Sequence, residues 1–212
     1  MIDLKNISKS YGRKIIFNNF SLHINSKEMV AITGVSGSGK STLLNIIGLI
    51  ESVDKGIVSI DGYENIKPQS SKAIKIIRKD ISYLFQNFAL IDDETVGYNL
   101  MLALKYTNCN KKLAIEQALD EVGLRGFEKV KVFRLSGGEQ QRVALARLML
   151  KPSKIILADE PTGSLDEHNR DIVISTLKRI KEGDDKTVII VTHDTYVANQ
   201  CERIVDISSN TV

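Results

Sequence analysis

Eight consecutive residues, Gly34-Val35-Ser36-Gly37-Ser38-Gly39-Lys40-Ser41, have the composition needed to wrap a polyphosphate. Backbone N–H groups must turn inward around phosphate oxygens, and glycines allow that curvature without Cβ clashes. A helix beginning at Lys40 would point the positive end of its dipole at the same anion. From that position Lys40 reaches the β- and γ-phosphates, and the Ser41 hydroxyl is a ligand for Mg²⁺. Chance produces such a run about once in a hundred chains of this size. A strand ending at Thr33 and a helix starting at Lys40 make coincidence rarer still.

A second site of chemistry is the run Ile155-Ile156-Leu157-Ala158-Asp159-Glu160, an apolar strand ending in two carboxylates. Asp159 suits the hold on Mg²⁺ that a phosphate-loop enzyme needs. Glu160, one residue on, could orient and deprotonate an attacking water. Strands often end in solvated acids, so the pair gains meaning only beside the phosphate loop. Ligands of parallel sheets sit beyond the carboxyl ends of the strands. His193 ends the next apolar strand and would face the same crevice, where a γ-phosphate contact is favoured over a plain surface role. Gln86, after Ile81–Phe85, is another polar residue at a strand end. Ser136 and Glu139 form a Ser-x-x-Glu capping box, and the intervening Gly137 and Gly138, which a cap does not need, let an anion approach the helix start. Asp166 reads as a helix cap.

These residues need a scaffold. The segments 28–33, 154–159 and 186–192 are short apolar runs, each followed by a turn and a helix, which predicts a parallel sheet covered on both faces. The helix after the phosphate loop is expected to run from Lys40 to about Ile50. In the first sixty residues IDLKNI, KIIF, FSLHI and IVSIDG predict short antiparallel strands beside that sheet. Residues 92–150 are mainly helical: Ile115, Ala118, Leu119 and Val122 share one face and Gly123 provides the stop. The fold class is therefore α/β, a P-loop NTPase with a mainly parallel core, an N-terminal antiparallel β subdomain and an inserted helical subdomain. With no repeats or Pro/Gly-rich linker, residues 1–212 read as one domain.

The length of 212 residues is ample for a buried core, and 42% hydrophobic with 26% charged residues is ordinary for a globular protein. A net charge of +3, with acidic residues among the basic ones, argues against nucleic acid. Cys109 and Cys201 fit no metal or redox spacing and read as reduced thiols. The start lacks the apolar core of a signal peptide, and no apolar run is long enough to span a bilayer. Work at a membrane would require a recruiting partner.

Leu135-Ser136-Gly137-Gly138-Glu139-Gln140-Gln141-Arg142 resembles the signature motif of the ATP-binding-cassette (ABC) ATPases, and the resemblance covers nearly the whole chain. Other family elements stand around it in order: Tyr11, the phosphate loop, Gln86, Leu157–Asp166 and His193. The resemblance implies that Tyr11 stacks on adenine. Gly34, Ser36, Gly37, Ser38, Gly39, Lys40, Ser41 and Thr42 would hold the phosphates of ATP, and Ser41, Gln86 and Asp159 would attend Mg²⁺. Lys40, Glu160 and His193 would serve catalysis. It further implies a homodimer sharing its ATP sites head to tail, with Ser136, Gly137, Gly138 and Glu139 on the partner's nucleotide and Ser164-Leu165-Asp166 crossing the interface. An integral membrane permease at the cytoplasmic face of the membrane completes the picture, with Phe85–Tyr98 as docking segment, Phe88, Leu90 and Ile91 as apolar anchors and Asp92, Asp93 and Glu94 as acidic rim. Within the family, Asp159–Asp166 and Gly138–Arg147 look like the macrolide-exporter and lipoprotein-release branch, and Phe85–Leu100 looks closer still to ATPases encoded with bacteriocin or antimicrobial-peptide exporters. A sensor or regulatory membrane complex would use the same ATPase. A non-transport ABC ATPase fits less well, since the long insertions of that class are missing. The end at Val212 is expected to leave no room for a C-terminal regulatory domain.

Overall fold

The computed structural model describes residues 1–163 and 165–208, and of Asp184 the backbone alone. Its centre is a parallel sheet of five strands: β3 (Met29–Thr33), β6 (Ile81–Leu84), β7 (Ile155–Asp159), β8 (Thr187–Val191) and β9 (Arg203–Asp206), in the order β6-β7-β8-β3-β9. Alternation decides which side each residue serves. Val30, Ile32, Ile155, Leu157, Ile189 and Val191 enter one apolar core, whereas Met29, Ile156, Ala158, Val188 and Ile190 enter the other. Successive strand residues point to opposite faces, so strands apolar at every position must be covered on both.

The first core is closed by helix α1 (Lys40–Ile47), helix α2 (Ser71–Asp80) and a four-stranded antiparallel sheet. That sheet is ordered β2-β1-β4-β5, with β1 at Ile2–Tyr11, β2 at Lys14–Ile24, β4 at Lys55–Ile60 and β5 at Tyr63–Glu64. KIIF and FSLHI are thus one strand, not two. Asn19 takes a positive φ of 56° and the register shifts nearby, so a bulge absorbs the polar pair Asn18-Asn19 without breaking the ladder. Helix α1 stops at Ile47, short of the expected Ile50. Gly48 follows as its cap, and Tyr83 presses against Gly48 while donating to the Leu44 carbonyl at 2.8 Å.

The second core is helical. It gathers α3 (Val96–Ala103), α4 (Lys111–Glu121), α5 (Gly137–Leu150) and α6 (Glu167–Asp184), with α7 (Thr195–Asn199) beside them. Ile115, Ala118, Leu119 and Val122 are buried on one face of α4 and its end, and Gly123 follows with φ 69°. Phosphate loop, paired carboxylates and His193 consequently emerge at the same edge, beyond the C-terminal ends of β3, β7 and β8.

Candidate functional site

The phosphate loop is built by conformations that only glycine adopts cheaply. Gly37 and Gly39 have φ of 79° and 95°. A Cβ on Gly39 would run into Ile16 of β2, so the loop also needs glycine to sit against the antiparallel sheet. Lys40 folds back so that its Nζ donates to the carbonyls of Gly34 at 2.7 Å and Val35 at 3.0 Å, which sets the ammonium inside the curve of the loop. Ser38 is buried, and its hydroxyl has no partner among the described residues. Val35, Ser36 and Gly37 are exposed, while Thr42 lies half-buried on α1.

Strand β7 brings the carboxylates to this loop. Ser41 Oγ donates to Asp159 Oδ1 at 3.2 Å across 118 residues of sequence. Burial raises the Asp159 carboxyl above its usual range, and the adjacent Glu160 charge adds to that, while Ser41 and Lys40 oppose it. A site of this kind fits a hard cation: one hydroxyl and one carboxylate, leaving the remaining positions to phosphate and water, is the usual protein share for Mg²⁺. Among the described residues no cluster of three or more His, Cys, Asp or Glu exists that would suit a metal held by protein alone.

Glu160 has φ 46°, a left-handed conformation that costs a non-glycine residue about 1–3 kcal/mol. Its N–H still donates to the Val191 carbonyl at 2.9 Å, extending the β7–β8 ladder while the chain turns. The turn aims the carboxylate at His193, whose Nδ1 lies 2.8 Å from Glu160 Oε1. The second oxygen, Oε2, is buried without a partner among the described residues. Gln86 is exposed two residues past β6, and its amide nitrogen lies 3.5 Å from where a Cβ on Gly163 would stand. It therefore borders the turn after Glu160.

The remaining expectations separate into two places. Tyr11, at the end of β1, is 47% exposed, with Lys9 Nζ 4.9 Å from the ring centre on one side. It is not a core aromatic. Ser136, Gly137, Gly138 and Glu139 begin α5 with both halves of the capping box formed. The bonds to Ser136 hold the Glu139 carboxyl below its usual range. Among the described residues no hydrogen bond joins this helix start to the phosphate loop; Gly138 instead faces Asn169, which Asp166 caps at 2.8 Å. Ser164 lies outside the described residues. In the docking segment, Phe88 and Leu90 are partly buried against the helical core, while Ile91 is 45% exposed.

Three residues were not singled out by sequence. Gln141 is buried and its Nε2 donates to the Pro161 carbonyl at 2.8 Å, tying α5 to the turn after Glu160. Arg147 donates at 2.6 Å to both the Phe88 and Ala89 carbonyls, tying α5 to the segment after Gln86. Lys14 brings its ammonium to 3.6 Å from a Cβ built on Gly37. Gln141 stands inside the Leu135–Arg142 motif, but its residue type alone pointed to no role there. Lys14 and Arg147 gave no signal.

The sequence matches the ABC transporter family over residues 17–163. An uncharacterized ABC transporter ATP-binding protein of Methanocaldococcus jannaschii, MJ0796, is 43% identical over 217 residues, covering 97% of this chain and 92% of that protein. The macrolide export ATP-binding/permease protein MacB of Escherichia coli is 38% identical over 98% of this chain. The chain spans about a third, 33%, of MacB's length. A dimeric structure of the MJ0796 cassette in a post-hydrolysis state, bound to ADP and Pi, superimposes with a TM-score of 0.89 at 38% identity, covering 100% of this chain and 96% of that one.

Proposed function

The chain belongs to the ABC transporter family, and from that premise we propose that it is the Mg²⁺-dependent ATPase subunit of a membrane export or mechanotransmission complex, acting as a head-to-tail homodimer. The observation that carries this reading is the meeting of the phosphate loop, the Ser41–Asp159 pair and the Glu160–His193 pair at one sheet edge.

In this reading ATP lies in the loop with its adenine on Tyr11 and its phosphates against the N–H groups of residues 34–42. Lys40 turns from the Gly34 and Val35 carbonyls toward the β- and γ-phosphates. A Mg²⁺ held by Ser41 and Asp159, with Gln86 beside it, would neutralise charge on the phosphate oxygens. Glu160 accepts a proton from water through Oε2 as the water oxygen bonds to the γ-phosphorus. The bond to the β–γ bridging oxygen breaks, leaving ADP and inorganic phosphate. His193, held by Glu160 Oε1, faces the γ-phosphate. The N-terminus of α5, from Ser136 to Gly138, completes the site of the second copy. Catalysis of this kind is mainly positioning and electrostatics.

No helix among the described residues is long and apolar enough to cross a membrane. We place the permease contact on the segment from Phe85 to Tyr98 and extend it to Tyr106. Ile91, Tyr98, Met101, Leu102 and Tyr106 are 39–59% exposed. Beside them opens a cleft of about 590 Å³ whose walls include Tyr83, Phe85, Leu102 and Tyr106. Aromatic anchors with a polar rim are what an interface core requires.

The test is phosphate release from MgATP by wild type and Lys40→Ala, with the permease present. Loss of hydrolysis in the variant is expected, and a wild-type rate overturns the site. Joint replacement of Asp92, Asp93 and Glu94 is expected to reduce co-purification with the permease while ATP binding persists. Unchanged co-purification overturns the docking assignment.

A further inference from the structure

Helix α2 carries four cations for which the described residues offer no carboxylate partner. Lys72, Lys75, Arg78 and Lys79 are all exposed on it, and its single carboxylate is Asp80. Among the described residues none of the four makes an ion pair. The nearby Asp61 and Asp80 are taken by Lys154, at 2.6 and 4.0 Å. Lys27 and Arg203, by contrast, are paired with Asp185 and Glu28. Lys75 stands three or four residues from each of the other cations, a spacing at which like charges on a helix repel. The opposite side of α2 is pinned by buried Ala73 and Ile76, so the helix cannot turn its charges apart.

The face is not purely charged. Ile74 is 48% exposed between Lys72 and Lys75, and Tyr63, 39% exposed, lies under Lys72 with the ammonium 5.2 Å from the ring centre. Next to them is a shallow depression of about 360 Å³ lined by Tyr63, Lys72, Lys75, Lys79, Asp80 and Lys154. Exposed basic residues flanking Ile74 on the outer face of a helix, with Tyr63 of β5 under Lys72 and a lysine-lined hollow alongside, match the charge and shape of a layer of phosphate headgroups. A protein segment would instead call for a groove with apolar walls. The adjoining cleft has that form and shares Lys79 and Asp80 with the hollow.

We propose that the exposed face of α2 rests on anionic phospholipid headgroups of the membrane that carries the permease. The orientation rests on the docking reading above: if the cleft meets the permease, the contiguous face of α2 is turned toward the same bilayer.

The experiment is co-sedimentation of the purified full chain with phosphatidylglycerol–phosphatidylcholine vesicles and with pure phosphatidylcholine vesicles, at low and high salt. Wild type is expected to partition onto the anionic vesicles only, and less so at high salt. Lys72→Glu/Lys75→Glu, whose positions lie outside the cleft, is expected to partition at least about tenfold less. Lys72→Gln/Lys75→Gln should fall between, which separates lost charge from a folding defect, and ATP binding by each variant reports on the nucleotide site separately. Equal sedimentation of wild type with both vesicle types overturns the proposal, as does a glutamate variant that matches wild type. If the variant keeps its vesicle binding but loses the permease in detergent, the face meets an acidic protein segment and the lipid assignment is wrong.

Discussion

His193 Nδ1 lies 2.8 Å from Glu160 Oε1, and Oε2 of the same carboxylate is buried with no partner among the described residues. One oxygen is thus committed to orientation and the other is free for a proton. Glu160→Gln keeps the shape and a bond to His193 but removes the acceptor. Loss of a general base costs about 10²–10⁴-fold in rate. Hydrolysis is expected to fall by at least about a hundredfold while MgATP still binds. ATP should then persist and hold two copies together, so sizing chromatography with MgATP is expected to show a dimer. A variant that stays monomeric at high protein concentration rules out the trapped sandwich for the isolated chain.

Gln141 offers a sharper test of how α5 is coupled to that site. Its buried amide reaches the carbonyl of Pro161, the residue after Glu160. Gln141→Leu preserves bulk and leaves the carbonyl unpaired, at a cost of about 1–3 kcal/mol. At about 2–4 °C per kcal/mol for a chain of this size, Tm is expected to drop by about 2–12 °C. Since Glu160 sits in a strained left-handed turn next to the lost bond, kcat should fall by more than ATP affinity does. An unchanged kcat with a lowered Tm would make Gln141 structural only.

Much of this site was legible because its chemistry is local in sequence. Gly34–Ser41, Asp159-Glu160 and His193 each sit at the end of an apolar run, and apolar runs that alternate with helices favour a parallel sheet, which brings their ends to one edge. The signature start was equally readable, since Ser136 and Glu139 form their box within one turn. What stayed hidden depends on distant packing. Arg147 reaches Ala89 across 58 residues. How far Phe88 and Leu90 are buried was equally hidden, because short apolar stretches carry no periodicity and only the position of α5 and the helical core decides that they are partly covered. The end of α1 was missed because Gly48 makes room for Tyr83, a contact no local pattern announces.

Lys151 gives a prediction in pH. Burial pushes its ammonium down from 10.5 to about 8, with Arg147 adding repulsion and Asp80 opposing it. The unfolded chain therefore holds this proton more tightly than the folded one between about pH 8 and 10.5. Stability contributed by the group rises with pH through that window, because the unfolded state binds more protons there. Lys151→Met removes the titration but also the donor to the Ile77 and Ile81 carbonyls, so its absolute Tm is expected to be lower. The informative quantity is the slope. Tm measured across that window should rise more in wild type than in the variant, and equal slopes would sink the assignment.

The head-to-tail arrangement turns on Ser136. Its hydroxyl is used within its own turn, accepting from the Glu139 N–H at 3.3 Å and donating to Glu139 Oε2 at 2.9 Å. The residue is exposed, and among the described residues no hydrogen bond joins it to its own phosphate loop. A helix start prepared for an anion, but not joined to the nearest anion site, fits the nucleotide of a second copy. Ser136→Arg places bulk and charge at that junction. ATP binding by the monomer is expected to stay near wild type, while the Glu160→Gln/Ser136→Arg double variant should fail to dimerise with MgATP. Losing the cap itself costs about 0.5–2 kcal/mol, and Ser136→Ala isolates that effect: it should lower Tm to a similar degree yet still permit dimers in the Glu160→Gln background. Light scattering beside a nucleotide-binding titration distinguishes the outcomes. If Ser136→Arg abolishes ATP binding by the monomer, α5 serves its own chain and the shared-site dimer is wrong.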